Sequence, residues 1–119
     1  MEFDVRERGV DPSRPLIYLW EIRDAEGRPL YRYVGKAKGG SGRPLKHSRR
    51  NVNNILSGRP YRKGKPEGFR RVHRELARAV QVGHRITLSF LCNVGEGEDI
   101  NEVERRLAAQ HGALDERAA

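Results

Sequence analysis

Side chains able to handle protons or to bind phosphate are concentrated in residues 16–47, which read LIYLWEIRDAEGRPLYRYVGKAKGGSGRPLKH. Hydrolysis of a phosphodiester needs a base for the nucleophile, positive charge on the phosphate and usually a divalent metal. Residue types suited to these roles recur in this stretch: Tyr18, Tyr33, Lys36, Arg43 and His47. The stretch is therefore a candidate for part of a phosphoryl-transfer site, and the alternative is an ordinary basic hairpin.

The tyrosines can act as bases only if their surroundings favour the phenolate. An unperturbed tyrosine has a pKa of roughly 10, so nearby cations are needed to lower it. Lys36 and Arg43 are close enough in sequence to be those cations. Arginine also holds phosphate through paired hydrogen bonds and is always protonated. These residues suit phosphoryl transfer without any Ser-His-Asp or Cys-His arrangement.

One acidic residue is in an unexpected position on the last predicted helix. Ile100, Glu104, Leu107 and His111 recur at helical spacing, which puts Glu104 in line with an apolar stripe. A carboxylate facing the core is costly unless it has a cation, a metal or several donors. A lone carboxylate can hold Mg²⁺, because that ion retains waters and takes further oxygens from a substrate. A stripe-edge glutamate paired with an arginine is an equally weighted alternative.

Hydrophobic periodicity predicts the elements that position these residues. Strands are predicted at residues 16–22, 30–35 and 86–90, and helices at 44–56, 69–80 and 100–110. Gly83 is expected to cap the second helix. The order is β-β-α-α-β-α, which predicts a single small α/β domain with a three-stranded, mainly antiparallel sheet flanked by helices. We expect residues 1–14 to be an N-terminal arm and residues 15–119 to be the domain.

The charge distribution favours a polyanionic partner. The chain has a net charge of +8, but residues 36–85 hold 15 Lys or Arg against two acids, Glu67 and Glu75. That middle segment therefore carries +13 and the remainder −5, which indicates that nucleic acid faces one surface. The residues predicted to contact it are Lys38, Lys46, Arg49, Arg50, Arg59, Arg62, Lys63, Lys65, Arg70, Arg71, Arg74 and Arg78.

Composition excludes several other classes of protein. No apolar run approaches the roughly 20 residues of a membrane span, and the charged N-terminus has no apolar signal core. The single cysteine, Cys92, cannot form an internal disulfide and has no CxxC companion for zinc. We therefore expect a cytoplasmic protein without a membrane partner.

The motifs LIYLW and YVGKAK resemble the two signature strands of the GIY-YIG nucleases. Ile17-Tyr18 matches the first motif and Tyr33-Val34-Gly35 the second. Arg43 is similar in position to the catalytic arginine of that family, and His47 to a position that the family fills with histidine or tyrosine. The segment GEDINEVERRLAAQHG is similar to its later helix, with Glu104 at the metal-binding glutamate. The resemblance covers about residues 15–112, although Leu16 replaces the first glycine and no asparagine follows Asn101.

The resemblance implies a metal-dependent DNA endonuclease that uses one Mg²⁺ or Mn²⁺ per site. Tyr18 would be the general base toward water, and Tyr33 would assist it by hydrogen bonding. Lys36 would lower the phenol pKa or contact phosphate, and Arg43 would stabilise the transition state. His47 would handle a proton or bind phosphate, and Glu104 would hold the metal.

The substrate is expected to be duplex or branched DNA. No specificity module is visible in the sequence, so we expect weak intrinsic specificity or a substrate chosen by shape or by an accessory partner. A chain with one site would need a homodimer, or two binding events, to cut both strands. Two rival classes stay open: a non-catalytic nucleic-acid-binding module that retains the fold, and, with less support, a protein-interaction domain.

Overall fold

The computed structural model of the chain describes residues 2–113 and contains a four-stranded sheet with helices on both faces. The strands are β1 (Asp4–Arg6), β2 (Leu16–Arg23), β3 (Pro29–Ala37) and β4 (Arg85–Asn93). The helices are α1 (Ser48–Leu56), α2 (Arg71–Val82) and α3 (Ile100–Gln110), and a π-helical turn at Arg43–His47 leads directly into α1. The α/β class predicted from the sequence is confirmed.

The sheet has four strands in the order β1-β4-β2-β3, so the prediction of three strands was wrong. β2 lies between β3 and β4 and is antiparallel to both, while β1 is parallel to β4. β1 comes from residues 1–14, which we expected only as an arm. It was missed because it has three residues within a charged segment, too few for a period of two to emerge.

Strand β2 carries apolar side chains on both faces because the sheet is covered on both sides. Tyr18 and Trp20 belong to the core under α1 and α2, and Phe3 from the N-terminal segment meets Trp20 edge-on at 5.0 Å. Ile17 and Leu19 belong to a smaller core under α3. The helix α3 therefore lies on the opposite sheet face from the ring of Tyr18.

The helix boundaries follow local signals in the sequence. Gly83 adopts a left-handed φ of +76° and caps α2, as predicted. Asp99 caps α3 by accepting a hydrogen bond from the backbone N–H of Asn101 at 2.9 Å. None of the helices among residues 2–113 has the length and apolar character to cross a membrane.

The segment before β2 is tied to the end of β4 by one amide side chain. Asn93 Oδ1 accepts from the backbone N–H of Asp11 at 2.9 Å. Its Nδ2 donates to the carbonyl oxygens of Asp11 at 3.0 Å and Pro15 at 3.2 Å. These bonds fix residues 11–15 against the sheet, beside the loop that follows β3.

Candidate active site

Tyr18 and Gly35 are direct partners across β2 and β3, and the tyrosine ring fills the space beside the glycine. A Cβ at Gly35 would lie 2.5 Å from both Cζ and Oη of Tyr18. Because β3 is the outer strand, the ring extends across it toward the open edge of the sheet. Residue 35 must therefore lack a side chain if the Tyr18 hydroxyl is to reach that edge.

Tyr33 lies on the same face and is held from the start of α2. Its ring centroid is 6.4 Å from that of Tyr18. Arg70, the residue before α2, donates from Nη2 to the Tyr33 hydroxyl at 2.5 Å, and its Cζ lies 5.5 Å from the centre of the Tyr33 ring. The hydroxyl and the ring face of Tyr33 thus both contact one guanidinium group.

The surroundings of Tyr18 combine groups from four elements. Burial, with 5% of the residue exposed, is the main cause that raises the pKa of Tyr18. Tyr33 and Glu104 raise the pKa further, while Arg70 and Arg43 lower it. The Tyr18 phenol is therefore neutral at physiological pH, and the cations that act on it are Arg70 and Arg43. We expected Lys36 and Arg43 in that role.

Helix α3 packs on the other face of the sheet and carries polar side chains beside the edge strand β3. Lys36, next to Gly35 on β3, donates from Nζ to the side-chain oxygen of Asn101. Glu104 lies one turn further along α3 and is 7% exposed. Helix α3, which carries Glu104, packs on the opposite sheet face from the Tyr18 ring, and the charge of Glu104 raises the pKa of Tyr18.

A cationic cleft opens beside this edge. Its volume is about 520 Å³, and its charged or titratable lining residues are Lys36, Lys38, Arg43 and His47. Gly39, Gly40 and Gly42 supply the rest of the lining, and no acid takes part. We call this site the basic cleft; its charge and size suit a phosphate group with its neighbouring sugar.

The glycine-rich wall of the basic cleft is pressed against the N-terminal segment. The backbone N–H of Ser41 donates to the carbonyl oxygen of Pro12 at 2.8 Å. Gly40 has a φ of +90°, and a Cβ there would lie 2.4 Å from the same oxygen. Both the dihedral angle and the close approach require glycine. The chain of contacts from Asn93 through residues 11–15 therefore sets the position of this wall.

Glu104 is the buried carboxylate of α3 that was predicted to hold a divalent cation. Within residues 2–113 no group of three His, Cys, Asp or Glu side chains could enclose a metal. The Asn101 amide oxygen, one turn earlier on α3, already accepts from the Lys36 ammonium group. Mg²⁺ and Mn²⁺ can be held by a single carboxylate and complete their shell with water and substrate oxygens, whereas zinc requires more protein ligands.

Five of the six predicted catalytic residues form two groups beside Gly35. Tyr18 and Tyr33 are buried under α2, and Lys36, Arg43 and His47 line the basic cleft. The sixth, Glu104, is apart from them on α3, which packs on the opposite face of the sheet. The residues predicted to contact nucleic acid are all exposed: Lys38, Lys46, Arg49, Arg50, Arg59, Arg62, Lys63, Lys65, Arg70, Arg71, Arg74 and Arg78.

Two contacts at the site were not predicted from the sequence. Arg70 was expected only on the basic outer face, but it bonds the Tyr33 hydroxyl. Asn101 was not assigned any role, but its side chain binds Lys36. Both pairs are far apart in the chain, so no local pattern could reveal them.

His73 is a buried histidine that the sequence did not single out, and it is 8% exposed between α1 and α2. Its Nε2 is 3.5 Å from Nδ2 of Asn51. Burial, followed by the charge of Arg70, lowers the pKa of His73 to about 4. His73 is therefore a neutral core residue and not part of the basic surface.

Comparisons of the chain with protein-family models, with curated proteins and with solved structures find no match. The fold and site define an α/β domain with a tyrosine pair, a cationic cleft and a buried carboxylate around one edge strand.

Proposed function

We propose that the protein is a metal-dependent DNA endonuclease of the GIY-YIG type. The observation that most supports this is that the ring of Tyr18 crosses the edge strand at Gly35, beside the basic cleft that Arg43 lines, while Glu104 is buried on the helix that packs on the other face. A proton acceptor, a phosphate-binding cation and a carboxylate near one another are the groups that phosphodiester hydrolysis requires.

The scissile phosphate would bind in the basic cleft. Arg43 is exposed at the start of the π-helical turn and can hold two phosphate oxygens at once. As a water oxygen attacks phosphorus and the ester P–O bond breaks, negative charge grows on those oxygens, and Arg43 stabilises it. Lys36 and Lys38 contribute further positive charge. His47, on the same cleft, would donate a proton to the departing oxygen.

Tyr18 would first lose its phenol proton to solvent, and the resulting phenolate would accept the proton from the attacking water. In the free protein its phenol is neutral because burial raises its pKa. The reaction therefore needs positive charge near the hydroxyl, and Arg70 and Arg43 supply part of it. A divalent ion held by Glu104 would add positive charge beside the phosphate oxygens. It would also lower the pKa of the water that it binds.

The test is cleavage of plasmid and of branched DNA with Mg²⁺ or Mn²⁺, and with EDTA as the metal-free arm. We expect wild-type protein to nick or cut only with metal. Arg43→Ala and Glu104→Gln should each lower the rate at least about a hundredfold, the cost of removing one transition-state contact. Glu102→Gln is the matched control, since Glu102 is exposed on the same helix as Glu104.

A result in which wild type, Arg43→Ala and Glu104→Gln are equally inert, while all three bind DNA, would remove the enzymatic proposal. The protein would then be a nucleic-acid-binding module that keeps the fold. One observation favours this second candidate: the phenol of Tyr18 is neutral because burial raises its pKa.

A further inference from the structure

A second cleft, between the end of α1 and the start of α2, differs in chemistry from the basic cleft. Its volume is about 400 Å³. Ile55, Pro66 and Phe69 give it an apolar lining, and Arg59, Arg74 and Glu67 give it charges of both signs. An acidic residue in the lining opposes a phosphate, so this site suits a ligand with an apolar face and hydrogen-bonding edges.

The loop that forms one wall of this cleft is folded into a short hairpin. The backbone N–H of Tyr61 donates to the carbonyl oxygen of Pro66 at 3.0 Å, and Arg62 pairs with Lys65. The ring of Tyr61 meets that of Phe69 edge-on, with centroids 5.4 Å apart and planes at 74°. Phe69 is only partly buried, so its fixed ring presents a surface to the cleft.

Arg74 is also fixed in place. Its Nη2 donates to the carbonyl oxygen of Glu67 at 3.0 Å, which ties the first turns of α2 to the hairpin. A guanidinium held in this way offers a flat cationic surface at low entropic cost. Aromatic rings and guanidinium planes are the surfaces on which unpaired bases stack, and a glutamate can accept from base amino groups.

We propose that this cleft, named here the base cleft, binds one unpaired nucleobase of the DNA strand whose phosphates occupy the basic cleft. The inference rests on the DNA-binding part of the proposed function and adds a substrate class to it: DNA with an unpaired nucleotide near the point of cleavage. An intact duplex keeps its bases stacked and cannot fill the base cleft.

The two clefts are lined by residues near opposite ends of one continuous helical segment. His47 lines the basic cleft and Ile55 the base cleft, and they lie eight residues apart on the continuous π-turn and α1. At about 1.5 Å per residue this is ~12 Å along the helix. That length corresponds to roughly three to four stacked nucleotides at 3.4 Å each.

The test is the affinity of the full chain, in EDTA, for two fluorescein-labelled duplexes that each carry a one-nucleotide bulge. In one the bulged nucleotide has its base, and in the other it is abasic, so backbone and charge are identical. We expect about tenfold tighter binding of the duplex with the base, in line with one stacked base. Equal affinities would overturn the base cleft.

Variants test whether the preference for the bulge that carries its base arises in the base cleft. Phe69→Leu keeps apolar volume without the ring, and Arg74→Gln removes the guanidinium plane and its charge. Each should bring the two affinities to within about twofold. Lys38→Ala, in the basic cleft, should weaken both equally and keep the ratio. A preference that survives both base-cleft variants overturns the proposal. DNA cleavage without any base preference also overturns it, yet leaves the nuclease proposal standing.

Discussion

Only glycine at position 35 leaves room for the ring of Tyr18, because a Cβ on residue 35 would lie 2.5 Å from the tyrosine hydroxyl. Tyr18 on β2 pairs with Gly35 on the edge strand β3. The tyrosine ring therefore passes over β3 and ends at the edge of the sheet. The glycine that follows Tyr33-Val34 is thus explained by packing on its own, independently of any reaction.

Gly35→Ala should displace the Tyr18 ring and destabilise the protein. Overpacking of this kind costs ~1–3 kcal/mol, because the added methyl group meets a buried ring attached to a rigid strand. Urea denaturation measures the change in the free energy of unfolding. Gly97→Ala is the control, since a Cβ there meets nothing within 4 Å. Equal stability of the two variants would contradict the packing described for Tyr18.

Arg70→Gln should slow DNA cleavage and shift its pH dependence. Arg70 lowers the pKa of Tyr18, so its loss raises that pKa and moves the rise in rate with pH to more alkaline values. We expect about a tenfold lower rate at neutral pH. Arg71→Gln is the control, because Arg71 lies over Tyr31 instead. A pH–rate profile identical to that of wild type would exclude Arg70 from tuning the tyrosine pair.

Stability should fall at alkaline pH because of Tyr18. The pKa of the unfolded tyrosine is about 10, and burial raises it in the folded protein. The neutral buried phenol therefore contributes to the free energy of unfolding. This contribution is fully present below pH ~10 and is lost as pH rises from there toward the folded pKa. Unfolding free energies at pH 9, 10 and 11 should decline more steeply for wild type than for Tyr18→Phe. Parallel declines would argue against a buried phenol.

Acid should destabilise the contact between α1 and α2 through His73. Its folded pKa of about 4 is below the ordinary value of 6.5. The neutral imidazole thus contributes stability that is present above pH 6.5 and lost as pH falls toward 4, by up to ~3 kcal/mol. Urea denaturation at pH 7, 5.5 and 4 should show a flatter dependence for His73→Gln than for wild type. His84→Gln, on a less buried histidine, should behave like wild type.

Gly40→Ala should weaken phosphate binding by moving the wall of the basic cleft. The added Cβ meets the Pro12 carbonyl oxygen at 2.4 Å, and the φ of +90° is unfavourable for alanine. We expect a several-fold loss of affinity for a short DNA duplex, measured by fluorescence anisotropy. Gly97→Ala, at a glycine outside the basic cleft with nothing within 4 Å of an added Cβ, should have little effect.

Patterns local in sequence predicted most of the fold. The hairpin, the three α-helices and their order follow from hydrophobic periodicity, and the predicted 100–110 helix has the observed bounds of α3. β1 was missed because its pairing with β4 joins residues 83 positions apart, such as Asp4 and Thr87. Parallel pairing of a three-residue charged segment leaves no periodic signal.

The sequence alone predicted only part of the candidate site. Glu104 was singled out because a carboxylate in an apolar stripe breaks the helical pattern, and its burial is confirmed. The electrostatics of Tyr18 were not predictable, because burial outweighs the nearby cations and burial depends on the assembled core. Arg70 and Asn101 acquire their partners from distant strands, which composition and spacing do not encode.

The short strand β1 covers the outer edge of β4, an edge with which another chain could otherwise pair. It occupies the outer edge of β4 with three residues, two of which, Asp4 and Arg6, are charged and bonded to each other at 2.9 Å. A long unpaired β4 edge would be a template for another chain, and short charged edge strands prevent such pairing. A truncation that starts at residue 15 would expose that edge, so expression should yield aggregated protein even though every proposed active-site residue is retained.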